Sequence, residues 1–174
     1  MGPRPIRLTT LWLPLIAGLL LASCVQRAVG VPPSASASAP ALPPDTHAFA
    51  EELIRLTNEA RVQHALPPLA LSATLEKAAS MKAQDMTTHR YFTHVSPDGT
   101  VPWHWFKAAG YHYKYAAENL AWDYREPREM HRAWMRSPKH RESILSPLSN
   151  EMAVVVTLTP DNRLLAVQLF GAQR

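Results

Sequence analysis

Apolar residues in the middle of the chain recur at helical spacing. Phe49, Leu53, Leu56 and Ala60 fall at i, i+4, i+7 and i+11, while Glu51, Glu52, Arg55 and Glu59 are directed elsewhere. Pro44-Asp45-Thr46 supplies N-cap chemistry for this helix, and Pro67-Pro68 stops the run. A second helix follows a capping Ser72, carries Leu75, Ala78, Ala79 and Met86 on one side, and ends near His89. Ser96-Pro97-Asp98-Gly99 is a loop. Pro102 to Ala109 forms a short aromatic-rich helix closed by Gly110. Ala116 to Asp123 suits either a strand or an extended loop. Pro127 at a first helical position opens another helix, with Met130, Ala133 and Trp134 on one face. Ser137-Pro138 has the chemistry of an N-cap with Pro at N1, and starts a last short helix through Leu145.

The C-terminal pattern changes period. Met152 to Thr159 and Leu164 to Phe170 are β-branched and apolar, and Pro160-Asp161-Asn162-Arg163 between them is a hairpin turn. Helices followed by a closing hairpin predict an α+β fold, with helices packed on an antiparallel sheet.

The first part of the chain has a different character. Arg4 and Arg7 precede a nearly apolar run from Leu8 to Leu21. That run has the length of a signal peptide and is short of the ~20 residues that span a bilayer. Leu21-Ala22-Ser23-Cys24 follows directly and resembles the bacterial lipobox, which implies lipidation of Cys24. The alternative is ordinary leader cleavage with Cys24 incidental. Two acyl chains suffice for stable anchoring where one is marginal. Residues 25–46 are rich in Pro, Ala and Ser and have little to bury, so they predict a disordered tether. Fully extended, at about 3.1 Å per residue, this tether reaches roughly 70 Å. The expected organisation is a leader over 1–23, a lipidated Cys24 with its tether to 46, and one domain over 47–174.

Composition narrows the partners. Lys and Arg number 18 against 14 Asp and Glu. Removal of Arg4 and Arg7 with the leader lowers the basic excess further. No Lys/Arg run occurs, which argues against nucleic acid. A single cysteine rules out an intramolecular disulfide. The eight histidines carry more interest, since His is both a metal ligand and a proton carrier near neutral pH.

Four ordered segments carry a family resemblance: Asn58-Glu59-Ala60-Arg61, Tyr91 to Gly99 (YFTHVSPDG), Ala117-Glu118-Asn119-Leu120-Ala121, and Trp134 to Leu145 (WMRSPKHRESIL). Together they resemble the CAP superfamily of cysteine-rich secretory proteins, antigen five and pathogenesis-related proteins, in its bacterial SCP branch. The match runs from about Phe49 to Gly171. The resemblance implies an α-β-α sandwich with a three-stranded antiparallel sheet flanked by helices. It also implies a cavity to which His94, Glu118 and His140 contribute. The family's second cavity Glu falls near Ser137, where this chain has no carboxylate. The disulfides of animal members are absent as well.

Two imidazoles and a carboxylate form a ligand set that zinc accepts, with one position left for water. Ser137 and Asn119 are the expected supports of this set, Ser137 as the cap of the helix bearing His140. In that first turn the helix dipole disfavours imidazolium. Ser137, His140 and Glu118 can also be cast as nucleophile, base and orienter of a hydrolase, although a capping hydroxyl argues against it. Taken singly, His94 is a loop histidine bonded to local backbone, and His140 packs under Trp134. His47, His64, His89, His104, His112 and His131 fit no ligand spacing. Asn58 and Arg61 are expected to fasten the first helix to neighbouring loops, and Arg125, Arg128, Arg132 and Arg136 to form a solvated face.

Three functions remain open. One is an envelope lipoprotein whose cavity binds a divalent metal, and with it a small-molecule or lipid ligand. Another is an envelope hydrolase acting on peptide or peptidoglycan. The third is a structural surface protein. Family members are linked with sterol or lipid binding, protease-like activity and defence, so the resemblance implies no single reaction. The expected location is the extracytoplasmic side of a bacterial envelope. Val25 after Cys24 points to an outer membrane where one exists.

Overall fold

The computed structural model describes residues 45–174; Cys24, the leader and the tether up to residue 44 lie outside the described residues. Asp45 and Thr46, expected at the end of the tether, instead cap and open the first helix, because the Asp45 carboxylate satisfies its free amides. Helix α1 spans Thr46–Gln63, with the Asp45 carboxylate accepting from the His47 and Ala48 amides. A two-residue strand β1, Ala70–Leu71, leads into α2, Ala73–His89, which Ser72 caps through the Leu75 amide. Helix α3, Trp103–Ala109, closes on Gly110 at φ 92°, a left-handed turn that glycine adopts without strain. Strand β2 is Tyr113–Trp122, so the segment that suited either strand or loop is a strand, and a longer one. Helices α4, Pro127–Arg136, and α5, Pro138–Ile144, follow, then the hairpin of β3, Glu151–Leu158, and β4, Leu164–Gln173.

The sheet order is β1-β3-β4-β2. The last three strands are antiparallel, as expected. The fourth member, β1, pairs parallel with β3 through only Ala70 and Leu71. Two residues after Pro67-Pro68 are too few for any alternation to show, and that is why the pattern did not reveal it.

Alternation explains the layers. Met152, Val154 and Val156 pack with Phe49, Leu53, Met130, Trp134 and Ile144 on one face. Ala153, Leu165, Val167 and Leu169 pack with Leu75, Ala79, Met86 and Phe106 on the other. The period of two thus sends successive residues into two separate cores, which makes an α-β-α sandwich. Among the described residues no helix is long and apolar enough to cross a membrane.

Polar side chains fasten these layers. Arg61 is fully buried and donates from Nε to Pro67 O at 2.9 Å and from Nη1 to Ile144 O and Ser146 O at 2.8 Å each. Asn58 exchanges two hydrogen bonds with the Leu69 backbone. Both fasten α1 to neighbouring loops, as the sequence suggested. Gln168, also fully buried, donates to Thr57 Oγ1 at 2.9 Å and accepts from Asn119 Nδ2 at 3.2 Å.

Arg61→Met keeps the apolar stem and removes the donors that hold the chain beyond α5. Carbonyls left buried without donors make this substitution cost about 3 kcal/mol, to be measured by urea unfolding.

Candidate functional site

Strand β2 lies at the sheet edge, next to β4 alone. Along it Glu118 shares a face with Ala116 and Leu120, which pack toward α2 and α3. Asn119 points to the opposite face, toward Gln168. The edge is therefore where both helical layers come within reach of one strand. The loop after α2 brings His94 from one layer, and α5 brings His140 from the other.

The three residues singled out from sequence line one cavity of about 500 Å³, together with Asn119, Ser137 and Trp103. An adjoining cavity of about 420 Å³ shares Ser137 and His140 with it and extends toward Trp122 and Tyr124. Within the first cavity only two of the three side chains meet. His94 Nδ1 lies 2.6 Å from Glu118 Oε1. A carboxylate only accepts, so Nδ1 carries the proton and Nε2 is left with its lone pair when the ring is neutral. The pair is asymmetric: the His94 side chain is 52% exposed and that of Glu118 is 2% exposed. The second carboxylate oxygen, Oε2, is buried without a partner among the described residues, as is Asn119 Oδ1.

The His140 ring makes no hydrogen bond among the described residues; its backbone is held instead, with Asn119 Nδ2 donating to His140 O at 3.1 Å. Burial first, and then the neighbouring His94, lower the His140 pKa from the ordinary imidazole value. The helix-dipole argument gave the same direction by a different cause.

Ser137 departs from expectation. It stands at the N-terminus of α5 with extended backbone angles, but its hydroxyl makes no capping bond. The same residue closes α4, its amide bonding to Ala133 O and Trp134 O. One residue serving as the junction of two helices has its geometry set by both, and the hydroxyl remains beside the cavity. The relay of Ser137, His140 and Glu118 is not wired either. Glu118 is bonded to His94, which takes the place assigned to His140.

The donor chemistry suits zinc, but the arrangement does not. Among the described residues no group of three or more His, Cys, Asp or Glu could hold a metal ion. Two zinc ligands, each about 2.0–2.2 Å from the ion, stand farther apart than the directly bonded His94 and Glu118 atoms. The third ligand hangs from the opposite layer.

Sequence reasoning missed the residues behind His94. Lys82 is fully buried in the apolar stripe of α2, and its Nζ donates to Thr93 O and His94 O. The signal was present: a lysine at the position, seven after Leu75 and four before Met86, where helical spacing calls for an apolar residue. Asp85 and Tyr91 complete that cluster, and Gln168 with Thr57 forms its counterpart on the other face.

The model of the cysteine-rich secretory protein family, CAP, matches residues 54–170. The uncharacterized protein YkwD of Bacillus subtilis (strain 168) is 40% identical over 105 residues, which cover 60% of this chain and 41% of the relative. The uncharacterized membrane protein YlbC of the same organism is 27% identical over 96 residues, covering 55% and 28%. The chain thus spans less than half the length of either curated relative. An outer surface protein from Borrelia burgdorferi superposes with a TM-score of 0.70 at 27% identity, covering 75% of this chain and 97% of that one. An extracellular protein containing an SCP domain, from Bacillus anthracis strain Ames, shares the fold with a TM-score of 0.68 at 24% identity, covering 78% and 45%.

Proton NMR should find the His140 ring titrating at lower pH than an ordinary exposed imidazole, because of its burial and the neighbouring His94. Protonation is then harder in the folded state, so stability contributed by neutral His140 is complete above the unfolded-state pKa and is lost as pH falls below it. In His94→Ala the His140 pKa rises part of the way back, since burial remains.

Proposed function

The chain belongs to the cysteine-rich secretory protein (CAP) family, and on that premise we propose that it is an extracytoplasmic binding module held to the envelope by a lipid at Cys24. Its ligand site is the cavity between His94, Glu118 and His140. The observation that carries this reading is the Glu118 carboxylate: one oxygen bonded to His94, the other buried in the cavity wall without a partner among the described residues. A buried carboxylate oxygen without a hydrogen bond is costly, and a ligand bearing a donor or a positive charge satisfies it. Primary amines and amino sugars have that chemistry.

Zinc, the metal its ligand chemistry favours, enters only by displacing His94 from Glu118. The cavity as folded is better matched to an organic donor. The enzymatic alternative lacks the expected relay.

Both the relatives and the leader support the location. A bacterial outer surface protein and an extracellular SCP-domain protein share the fold, and the Leu21-Ala22-Ser23-Cys24 run resembles a lipobox. A tether of Pro, Ala and Ser would let the domain work away from the membrane surface.

Two experiments test the reading. NMR titration with a panel of primary amines, amino sugars and zinc chloride is expected to show an organic member shifting the His94 and His140 ring signals together, with the response lost in Glu118→Gln. If every member leaves both rings unmoved at millimolar concentration, the binding assignment is wrong. Separately, metabolic labelling with an alkyne fatty acid should mark the wild-type protein in the membrane fraction. Cys24→Ser should abolish the label and release the protein.

A further inference from the structure

Helix α2 buries a positive charge in an otherwise apolar stripe. Leu75, Ala78, Ala79 and Met86 form its packed face, and Lys82 stands among them with no exposed surface. An ammonium group out of water is strongly unfavourable unless its three protons all find acceptors. All three do. Nζ donates to Tyr91 Oη at 2.9 Å, to Thr93 O at 3.1 Å and to His94 O at 3.0 Å. The same nitrogen lies 4.7 Å from the centre of the Tyr91 ring.

Two of those acceptors are consecutive carbonyls of the loop that carries His94. That loop has no regular secondary structure; its own bond across His94, from Thr93 Oγ1 to Val95 O at 2.5 Å, ties two loop residues to each other but not to the rest of the fold. Three residues farther along α2, Asp85 accepts from the Tyr91 hydroxyl and, at 2.9 Å, from Ser96 Oγ. Residues 91 to 96 are therefore tied at both ends by Asp85 and in the middle by Lys82. Burial lowers the Lys82 pKa, while the carboxylates of Glu118, Asp85 and Asp98 oppose that loss of charge. Burial also works against the Asp85 anion, but hydrogen bonds from Tyr91, Ser96 and His89 outweigh it and lower its pKa. A side chain serving only to fill the core would need none of these partners; methionine fits such a space without them.

We propose that Lys82 is a positioning residue of the cavity, fixing the Thr93 and His94 carbonyls so that the His94 imidazole is presented to Glu118. The role matters for function through the reading that the His94–Glu118 cavity binds ligand. Its test uses no ligand, so either idea can fail while the other stands.

The readout is the His94 Nδ1–H proton, which the bond to Glu118 shifts downfield and shields from exchange in nitrogen-edited NMR spectra of the full chain. In Lys82→Met this signal is expected to broaden beyond detection. The Tyr91 and Ser96 amides, which donate to Met86 O and Thr100 O, should exchange at least tenfold faster, while those of Val155 and Val167 in the sheet keep their wild-type rates. An unchanged signal with unchanged loop exchange would overturn the proposal. A second variant keeps it testable if Lys82→Met does not fold. The double substitution Tyr91→Phe with Ser96→Ala removes the Asp85 ties and leaves the Lys82 bonds to the two carbonyls. The Nδ1–H signal is expected to persist there; its loss would assign the positioning to Asp85 and remove it from Lys82.

Discussion

With both faces of the sheet under helices, only its edges remain where polar side chains from different layers can meet. β3 and β4 are buried on both sides by two distinct cores. Of the two edges, β1 is two residues long and β2 is ten. The long edge carries Glu118, flanked by His94 from one layer and His140 from the other. The cavity is where two layers meet at a strand that neither fully covers.

Each layer reaches that edge through buried polar side chains. On one side Lys82 holds the His94 loop by its carbonyls. On the other, Thr57, Gln168 and Asn119 link α1 through the sheet to the His140 carbonyl. Arg61 does comparable work farther off, fastening the chain beyond α5. Polar groups in a core are tolerated only when paired, and a paired one specifies a single arrangement more sharply than packing alone. With only one cysteine in the chain and no intramolecular disulfide possible, these pairings are what fix loops that helices and strands leave free.

How much of this the sequence discloses depends on the range of the interaction. Helical spacing marks where the first two helices start and where the second ends, because periodicity and caps such as Asp45 and Ser72 are local. The first helix stops at Gln63, short of the Pro67-Pro68 pair. The β3–β4 hairpin is equally plain. The cavity residues became visible through family resemblance rather than spacing, since they come from three distant segments. What stayed hidden is the pairing. Nothing local says that Glu118 bonds to His94 and not to His140, for that choice depends on which side of β2 each residue faces. Ser137 shows the opposite failure: its local signal was a good cap, but the junction of α4 with α5 took over its backbone. Lys82 was legible in principle as a charge in an apolar stripe, although its partners lie 9 to 12 residues away.

The placement of Glu118 on the strand, and of the two histidines on opposite layers, makes the cavity modular. Changes in α2 or its loop alter one wall, and changes in α4 or α5 alter the other, while the central carboxylate keeps its place in the β2–β4 ladder. The lining of the cavity can thus change over evolutionary time, one jaw at a time, on an unchanged frame.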